Sequence, residues 1–554
     1  MRHYQRAWLR GDIIAGLTVT AYLVPQVMAY AQIAGLPPVV GLWAALASLP
    51  IYALLGSSRQ LSVGPESTTA LLAASVVAPL ALGDPGRYAT LAATLALIVG
   101  ALCLGAWALH LGVLADLFSR PVLVGYMAGV AVILMLTQLS KLTGITATGT
   151  TFIDEMSSLW INRAQWSWPT FALASGVLLL MVLLAKFAPR LPIPLIAVVV
   201  SAVVVAVFDL SQHGIAVIGE IPEGLPTFAI PSISGSTASS MFFPAVGVAI
   251  VAYTDNVLTA RAFSRRAGHT IDANQEFLAL GAANISAGFL QSFPVSSSAS
   301  RTVIGEQSGS KTQLNSLFTW VAVIAILIFF RPALAAFPTA ALGAIVVYAA
   351  WRLIEWKEFG RLWQFSRTEF AIAVIAVLGV LLFNILYGVL VAVGLSVALM
   401  LWRVARPHAA VLGFVPNVAG MHDLADFSDA VTEPGLVAFR YDSPLFFANA
   451  EDFRVRALGA LAEQQRRAET HHEELPRWFL LNAEANVDID LTAADALEDL
   501  RATLETKQVV LVLARVKHEL FEDLQKVGLV DRIGLDHIFP TMPTAVAAFR
   551  ATKR

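Results

Sequence analysis

Two short clusters of hydroxyl residues hold the clearest chemistry in this sequence. One reads Gly64-Pro65-Glu66-Ser67-Thr68-Thr69-Ala70, the other Phe293-Pro294-Val295-Ser296-Ser297-Ser298-Ala299. Both fit the pattern Pro-x-Ser-[Ser/Thr]-[Ser/Thr]-Ala, and their prolines stand 229 residues apart (294 − 65). Proline suits a helix start, where its missing N–H costs nothing. Hydroxyls and free backbone N–H groups just inside such a start offer an anion several donors and the positive end of a helix dipole. Ser and Thr also let helices pack closely, and a single cluster would be read that way. Two related clusters, each behind a proline, favour an anion site.

The same offset pairs other polar residues, taking Gln26 to Asp255 and Tyr30 to Thr259. Gln26 and Tyr30 are four apart, share a helix face, and can both donate hydrogen bonds. An ionisable group inside an apolar span is costly and marks a functional site by default. Asp255 is therefore expected to hold a proton, ligate Na⁺, or pair with Arg301. Arg301 follows Ser298, Ala299 and Ser300 and is suited to charge-assisted bonds with an oxyanion; the plainer reading is an anchor at a helix end. Glu66 is either a partner of the helix dipole in the first turn or a proton carrier.

The elements that must position these residues are membrane helices. The chain is 57% hydrophobic and only 14% charged, with a mean hydropathy of +0.69, whereas soluble domains carry about 25% charge. Fourteen apolar segments precede about residue 406. Seven begin near Asp12, Pro38, Pro65, Tyr88, Arg120, Trp168 and Pro192. Seven more begin near Met241, Glu276, Ser296, Gln313, Phe337, Thr368 and Ile385. An odd number per half inverts the second half relative to the first, the plan of secondary transporters in which broken helices meet near the bilayer midplane. Segments three and ten are short, so their ends must hide in protein or a wet cavity. Arg2, Arg6 and Arg10 precede a first span that is retained, since no convincing cleavage site follows. With the N-terminus in the cytoplasm, loops after even segments hold twelve Lys and Arg residues, Arg59 and Arg361 among them. Loops after odd segments hold only Arg87, Lys141, Arg163 and Arg331. This places the C-terminal tail in the cytoplasm.

The chain thus divides into a transport domain (1–406), a linker (407–433) and a soluble α/β domain (434–554). In the last, Leu436 to Phe439, Trp478 to Leu481 and Val509 to Ala514 read as strands. Ala450 to Leu461, Ala493 to Glu505 and Glu519 to Val527 read as amphipathic helices, and Gln464 to Glu474 as a solvated loop. His471-His472 lacks a third ligand for a metal. The one cysteine, Cys103, excludes an intramolecular disulfide or a multi-cysteine metal site. A net charge of −2 points away from nucleic acid. No cofactor is expected, and no nucleophile–base pair or metal cluster argues for an enzyme.

Four ordered motifs resemble the SulP anion transporters. They are Pro25-Gln26-Val27-Met28-Ala29-Tyr30-Ala31 with Ala34-Gly35-Leu36-Pro37-Pro38-Val39-Val40-Gly41-Leu42; Gly56-Ser57-Ser58-Arg59-Gln60-Leu61-Ser62-Val63-Gly64-Pro65; Asn274-Gln275-Glu276 with the second hydroxyl cluster through Ser300-Arg301; and Gly309-Ser310-Lys311-Thr312-Gln313. The resemblance implies fourteen transmembrane segments in a seven-plus-seven inverted repeat, divided into core and gate domains, a cytoplasmic STAS domain and a homodimer in the plasma (inner) membrane. It implies a small anion substrate: sulfate, bicarbonate, chloride and other halides, or a dicarboxylate. Gln26, Tyr30, Pro65, Glu66, Ser300 and Arg301 match its anion-pocket positions, and Asp255 and Thr259 match positions used for cation coupling, to H⁺ or Na⁺. Position 66 departs from the common apolar residue. In the tail, Asp490-Leu491-Thr492-Ala493 stands where related regulators carry Asp-Ser-Ser-Gly, which makes Thr492 the phosphorylatable position. The alternative is a Thr that opens a helix with its hydroxyl on a backbone N–H. The expected activity is coupled transport of a small oxyanion. A nucleobase carrier of the same fold, an uncoupled anion channel or exchanger, and a sensor that signals through the STAS domain are the competing readings.

Overall fold

Long apolar runs punctuated by Pro and Gly fold as helices here, because in lipid a helix satisfies its own backbone hydrogen bonds. The computed structural model describes residues 4–112, 119–145, 157–158, 161–189, 191–221, 225–232, 235–266, 268–383 and 385–552. Arg2 lies outside them. Each of the fourteen apolar segments contains a helix. The first seven are α1 (Leu9–Ile33), α2 (Pro38–Leu55), α3 (Ser67–Ala81), α4 (Pro85–Ala108), α5 (Arg120–Thr143), α6 (Trp168–Phe187) and α7 (Ile193–Val207). The second seven are α8 (Gly235–Arg266), α9 (Ala273–Phe289), α10 (Ala299–Gln307), α11 (Leu314–Phe329), α12 (Thr339–Leu353), α13 (Arg367–Phe383) and α14 (Ile385–Ala405). Among the described residues seven helices are long and apolar enough to cross a membrane, while α3, α7 and α11 are shorter apolar ones. An amphipathic helix, Trp356–Phe365, joins α12 to α13; its mixed polarity hid it from a search for apolar runs.

Two extended segments interrupt the helices. β1 (Val63–Gly64) and β2 (Ser296–Ser297) pair antiparallel, with Val63 opposite Ser297 and Gly64 opposite Ser296. β1 leads into α3 and β2 into α10, so this small ladder holds the starts of the two short helices together. Pro294 does not open a helix, contrary to its expected role. Asn284 on α9 accepts from Val295 N at 2.9 Å and donates to its carbonyl at 3.1 Å. That clamp keeps the chain extended until Ser298. The paired motifs therefore share residue types, while the second helix begins three residues further from its proline. Close packing fixes α1 beside α2: a Cβ on Gly41 would fall 1.9 Å from the Val27 carbonyl oxygen.

The chain separates into two compact units, Met1–Ser396 and Val397–Arg554. In the second, a six-stranded sheet has the order β4-β3-β5-β6-β7-β8. Its strands are β3 (Ala409–Phe414), β4 (Met421–Asp423), β5 (Leu436–Tyr441), β6 (Trp478–Asn482), β7 (Val510–Ala514) and β8 (Ile538–Phe539). β5 to β8 run parallel, and β3 is antiparallel to both neighbours. α15 (Ala450–His471), α16 (Leu491–Thr506) and α17 (His518–Lys526) cover one face through Phe453, Leu497 and Leu524. α18 (Met542–Ala551) covers the other through Val546 and Phe549. The stretch 407–433 is not a plain linker, because β3 and β4 lie within it. Leu412 and Ala410 alternate inward from β3, a period too short for a composition-based boundary to register. The expected loop from Gln464 is also helical as far as His471. Charge made it look solvated, but Glu463 and Arg466 pair one turn apart and support the helix instead.

Candidate anion-binding site

The starts of α3 and α10 are where the predicted residues gather. Glu66 caps α3: its Oε2 accepts from Thr68 N at 2.6 Å, and its Oε1 from the Ser67 hydroxyl at 2.5 Å. Pro65 precedes this cap and lies outside the helix, whose first residue is Ser67. Ser298 caps α10 through a 3.4 Å bond from Arg301 N, and its hydroxyl lies 3.2 Å from that of Ser300. Ala299 is the first helical residue. Ser298 N also donates to Ser62 O at 2.9 Å, extending the ladder by one bond.

Arg301 joins the two starts. It is fully buried, which does not fit an exposed anchor at a helix end. Its Nε donates to Ser62 Oγ at 3.3 Å and its Nη1 to the Pro65 carbonyl at 2.9 Å. Nη2 is buried without a hydrogen-bond partner. Glycine at position 64 makes room for it, since a Cβ there would come within 3.3 Å of Nη2 and 3.5 Å of Ser48 Oγ. A guanidinium taken out of water is costly unless its donors are used. An open amino group beside the starts of two helices is therefore a place where an acceptor gains strongly.

Gln26 and Tyr30 are buried on α1, and Gln26 Oε1 has no hydrogen-bond partner. Tyr30 interacts with Glu66, Arg301 and Ser67, which brings α1 to the same place. Asp255 on α8 lies on the other side of β2. Its Oδ2 accepts from Ser297 Oγ at 3.3 Å and Ser296 Oγ at 3.4 Å. The expected choice between pairing with Arg301 and other roles resolves against the pair, because the guanidinium turns toward Pro65 and Ser62. Thr259 is buried one turn further along α8. Among the described residues no cluster of three or more His, Cys, Asp or Glu could hold a metal ion. In the second unit, Thr492 is exposed near the start of α16, and the cap is Asp490, whose Oδ1 accepts from Ala493 N at 2.8 Å.

Sequence reasoning missed several neighbours. Tyr126 on α5 is buried, has an unpartnered hydroxyl and interacts electrostatically with both Glu66 and Asp255. A lone tyrosine inside the apolar run of α5 was the available signal. Ser62 and Gly64 were noted for their motif and not for their contacts. Glu276 is fully buried, and accepts from Tyr52 Oη at 2.9 Å, Ser57 N at 3.0 Å, Ser57 Oγ at 2.7 Å and Asn256 Nδ2 at 2.6 Å. It ties α9 to α2, the following loop and α8.

Comparison with known proteins identifies the family and the fold. Residues 9–376 match the sulfate permease family and residues 428–545 the STAS domain. A probable sulfate transporter of Mycobacterium tuberculosis (strain CDC 1551 / Oshkosh) is 54% identical over 549 residues, covering 99% of this chain and 97% of that protein. Among solved structures, the murine Solute Carrier 26 family member A9 anion transporter superposes with a TM-score of 0.89 at 23% identity, covering 99% of this chain and 93% of that one. The transmembrane domain of a cyanobacterium bicarbonate transporter superposes with a TM-score of 0.63 at 23% identity, covering 71% and 98%. The helical unit with its paired short helices, the sheet domain that follows, and the length of the match together make this chain a membrane protein of the sulfate permease family with a C-terminal STAS domain.

Proposed function

We propose that the protein is a secondary active transporter of a small inorganic oxyanion, sulfate in the first place. It works as a homodimer in the plasma (inner) membrane, with its N-terminus and STAS domain in the cytoplasm. The observation that carries this reading is the buried Arg301 guanidinium, whose Nη2 amino group is unused at the meeting point of two helix starts. An oxyanion would take that donor, with Tyr30, Gln26 and the hydroxyls of Ser298 and Ser300 around it. Charge-assisted bonds of this kind are about twice as strong as neutral ones. The sulfate transporter names of the relatives support the choice of anion.

Coupling follows from counting charge. The site holds one guanidinium and two carboxylates, Glu66 and Asp255. A bound dianion would leave it strongly negative in a low-dielectric setting, where an uncompensated charge is expensive. A proton or Na⁺ must enter with the substrate. Asp255, held only by two long hydroxyl contacts next to Thr259, is the carboxylate best placed to accept one. The test is uptake into proteoliposomes from a panel of sulfate, bicarbonate, chloride and a dicarboxylate. Asp255→Asn should lower the number of cations carried per anion, and so the accumulation that a pH or Na⁺ gradient drives, and retain exchange of anion for anion. Undiminished accumulation by Asp255→Asn would make Asp255 structural. Transport of none of these anions by the wild-type protein would refute the reading itself.

A further inference from the structure

The two helix starts are capped by groups of different charge, and the difference assigns a task to Glu66. Taking the site as an anion site, we propose that the Glu66 carboxylate is the substrate's built-in rival: it occupies the first-turn donors of α3 that an oxyanion would use, and releases them when it binds a proton.

A carboxylate on a helix start has the chemistry of a bound oxyanion. It presents two acceptor oxygens to N–H and O–H donors at the positive end of the dipole. Glu66 does this with both oxygens, on Thr68 N and on Ser67 Oγ. At α10 the same place belongs to a neutral hydroxyl on a longer bond, so that start is open to an incoming acceptor. Next to Glu66, the Pro65 carbonyl holds Nη1 of Arg301, whose Nη2 is buried and unpartnered, and Thr68 Oγ1 is buried without a partner. The pocket therefore contains one occupied helix start, one open one, and a donor waiting between them.

The groups facing Glu66 decide when it yields. They are Tyr30 from α1, Tyr126 from α5, Asp255 from α8 and Arg301 from α10. Arg301 is the positively charged group among them. An arriving anion competes for the same guanidinium and adds negative charge alongside Asp255. A proton on Glu66 then removes one charge and converts an acceptor into a donor, so the α3 start is free and the protonated carboxyl can itself donate to the anion. Asp255 differs in kind, because its oxygens rest on the β2 hydroxyls and not on the α3 start. A cation there changes the charge without opening any donor.

The signature is one proton taken up per anion bound at Glu66, so affinity should rise by up to about tenfold for each unit fall in pH. Sulfate is the suitable probe because it stays a dianion throughout this range. Labelled sulfate binding to the purified full-length protein would be measured at about pH 8 and about pH 6, with melting curves to confirm folding. Wild type should bind more tightly at the lower pH. Glu66→Ser, which copies the neutral cap of α10, should bind at the higher pH as tightly as wild type does at the lower, with little pH dependence. Glu66→Gln should behave likewise. A pH slope that persists in both variants, or weaker binding by both at every pH, would overturn the proposal. Arg301→Ala separates the two claims. Undiminished binding by that variant removes the anion site itself, whereas lost binding together with a pH-independent wild type removes only the role of Glu66.

Discussion

Two kinds of buried carboxylate occur in the membrane unit, and they are held very differently. Glu276 is enclosed by Tyr52, Ser57 and Asn256, with bonds as short as 2.6 Å. Asp255 leans on two hydroxyls at 3.3 and 3.4 Å. A carboxylate whose lone pairs are filled by fixed donors has settled its charge and acts as a structural knot. One with weak, movable partners can exchange them for a proton or a cation. The same contrast separates the two helix starts, where a charged cap at α3 faces a neutral cap at α10. Of the two carboxylates, the saturated one belongs to the scaffold and the loosely held one to the candidate site.

The largest effect expected from this comparison is on stability. Glu276→Ala strands four donors in the interior and should cost about 3 kcal/mol or more, read as a large fall in melting temperature in detergent. Asp255→Asn should cost less than about 1 kcal/mol. Equal losses would end the distinction between knot and site.

Next comes Arg301→Ala. Loss of a charge-assisted partner should weaken anion binding by about 1.5–3 kcal/mol, or roughly ten- to a hundredfold, in a protein that remains folded. Unchanged affinity would remove Arg301 from the site.

A smaller effect belongs to the STAS domain. Burial pushes the Asp423 carboxyl up, but the Ala425 N–H at 2.8 Å, the His408 ring at 2.7 Å and Arg440 outweigh it and hold the group below the usual carboxylate range. A depressed value in the folded state contributes stability above the unfolded value, near pH 3.9, that is lost as pH falls through the folded one. Asp423→Asn should therefore destabilise the β3–β4 edge by about 1 kcal/mol at neutral pH, seen as faster amide exchange. The gap from wild type should close in acid, as pH falls through the lowered folded value. A gap independent of pH would mean the contact is not electrostatic.

The smallest effect is predicted for Thr492→Ala, within about 0.5 kcal/mol, because Asp490 does the capping. Asp490→Ala should cost about 1 kcal/mol. Thermal unfolding of both variants checks the order, and a larger loss for Thr492→Ala would reverse it.

Much of the site was legible in the sequence because its residues are expensive where they stand. Gln26, Tyr30 and Asp255 are polar groups in apolar runs, Arg301 follows a hydroxyl cluster, and one offset tied three landmarks together. What stayed hidden depends on contacts far along the chain. Arg301 meets Ser62 across 239 positions, and Tyr52 meets Glu276 across 224; no local pattern encodes either. Two-residue strands such as β1 and β2 have no period to read. The apparent symmetry at Pro294 misled for the same reason, since its extended course is set by Asn284 on another helix. In the tail the central strands were plain as apolar runs, whereas β3 and β4 alternate and sit among polar turns.

The claim that an anion lies between the two helix starts can be tested by chemical protection. Cys103 is the only cysteine in the chain and is buried, so a Cys103→Ser background isolates one introduced thiol. Ser300 is exposed in the first turn of α10, beside Arg301, and Ser300→Cys would report on the pocket through its rate of modification by a small thiol reagent. Sulfate, or another anion of the transported panel, should slow that modification in proportion to its occupancy, and Arg301→Ala should abolish the protection. Equal rates with and without every anion of the panel would contradict the account.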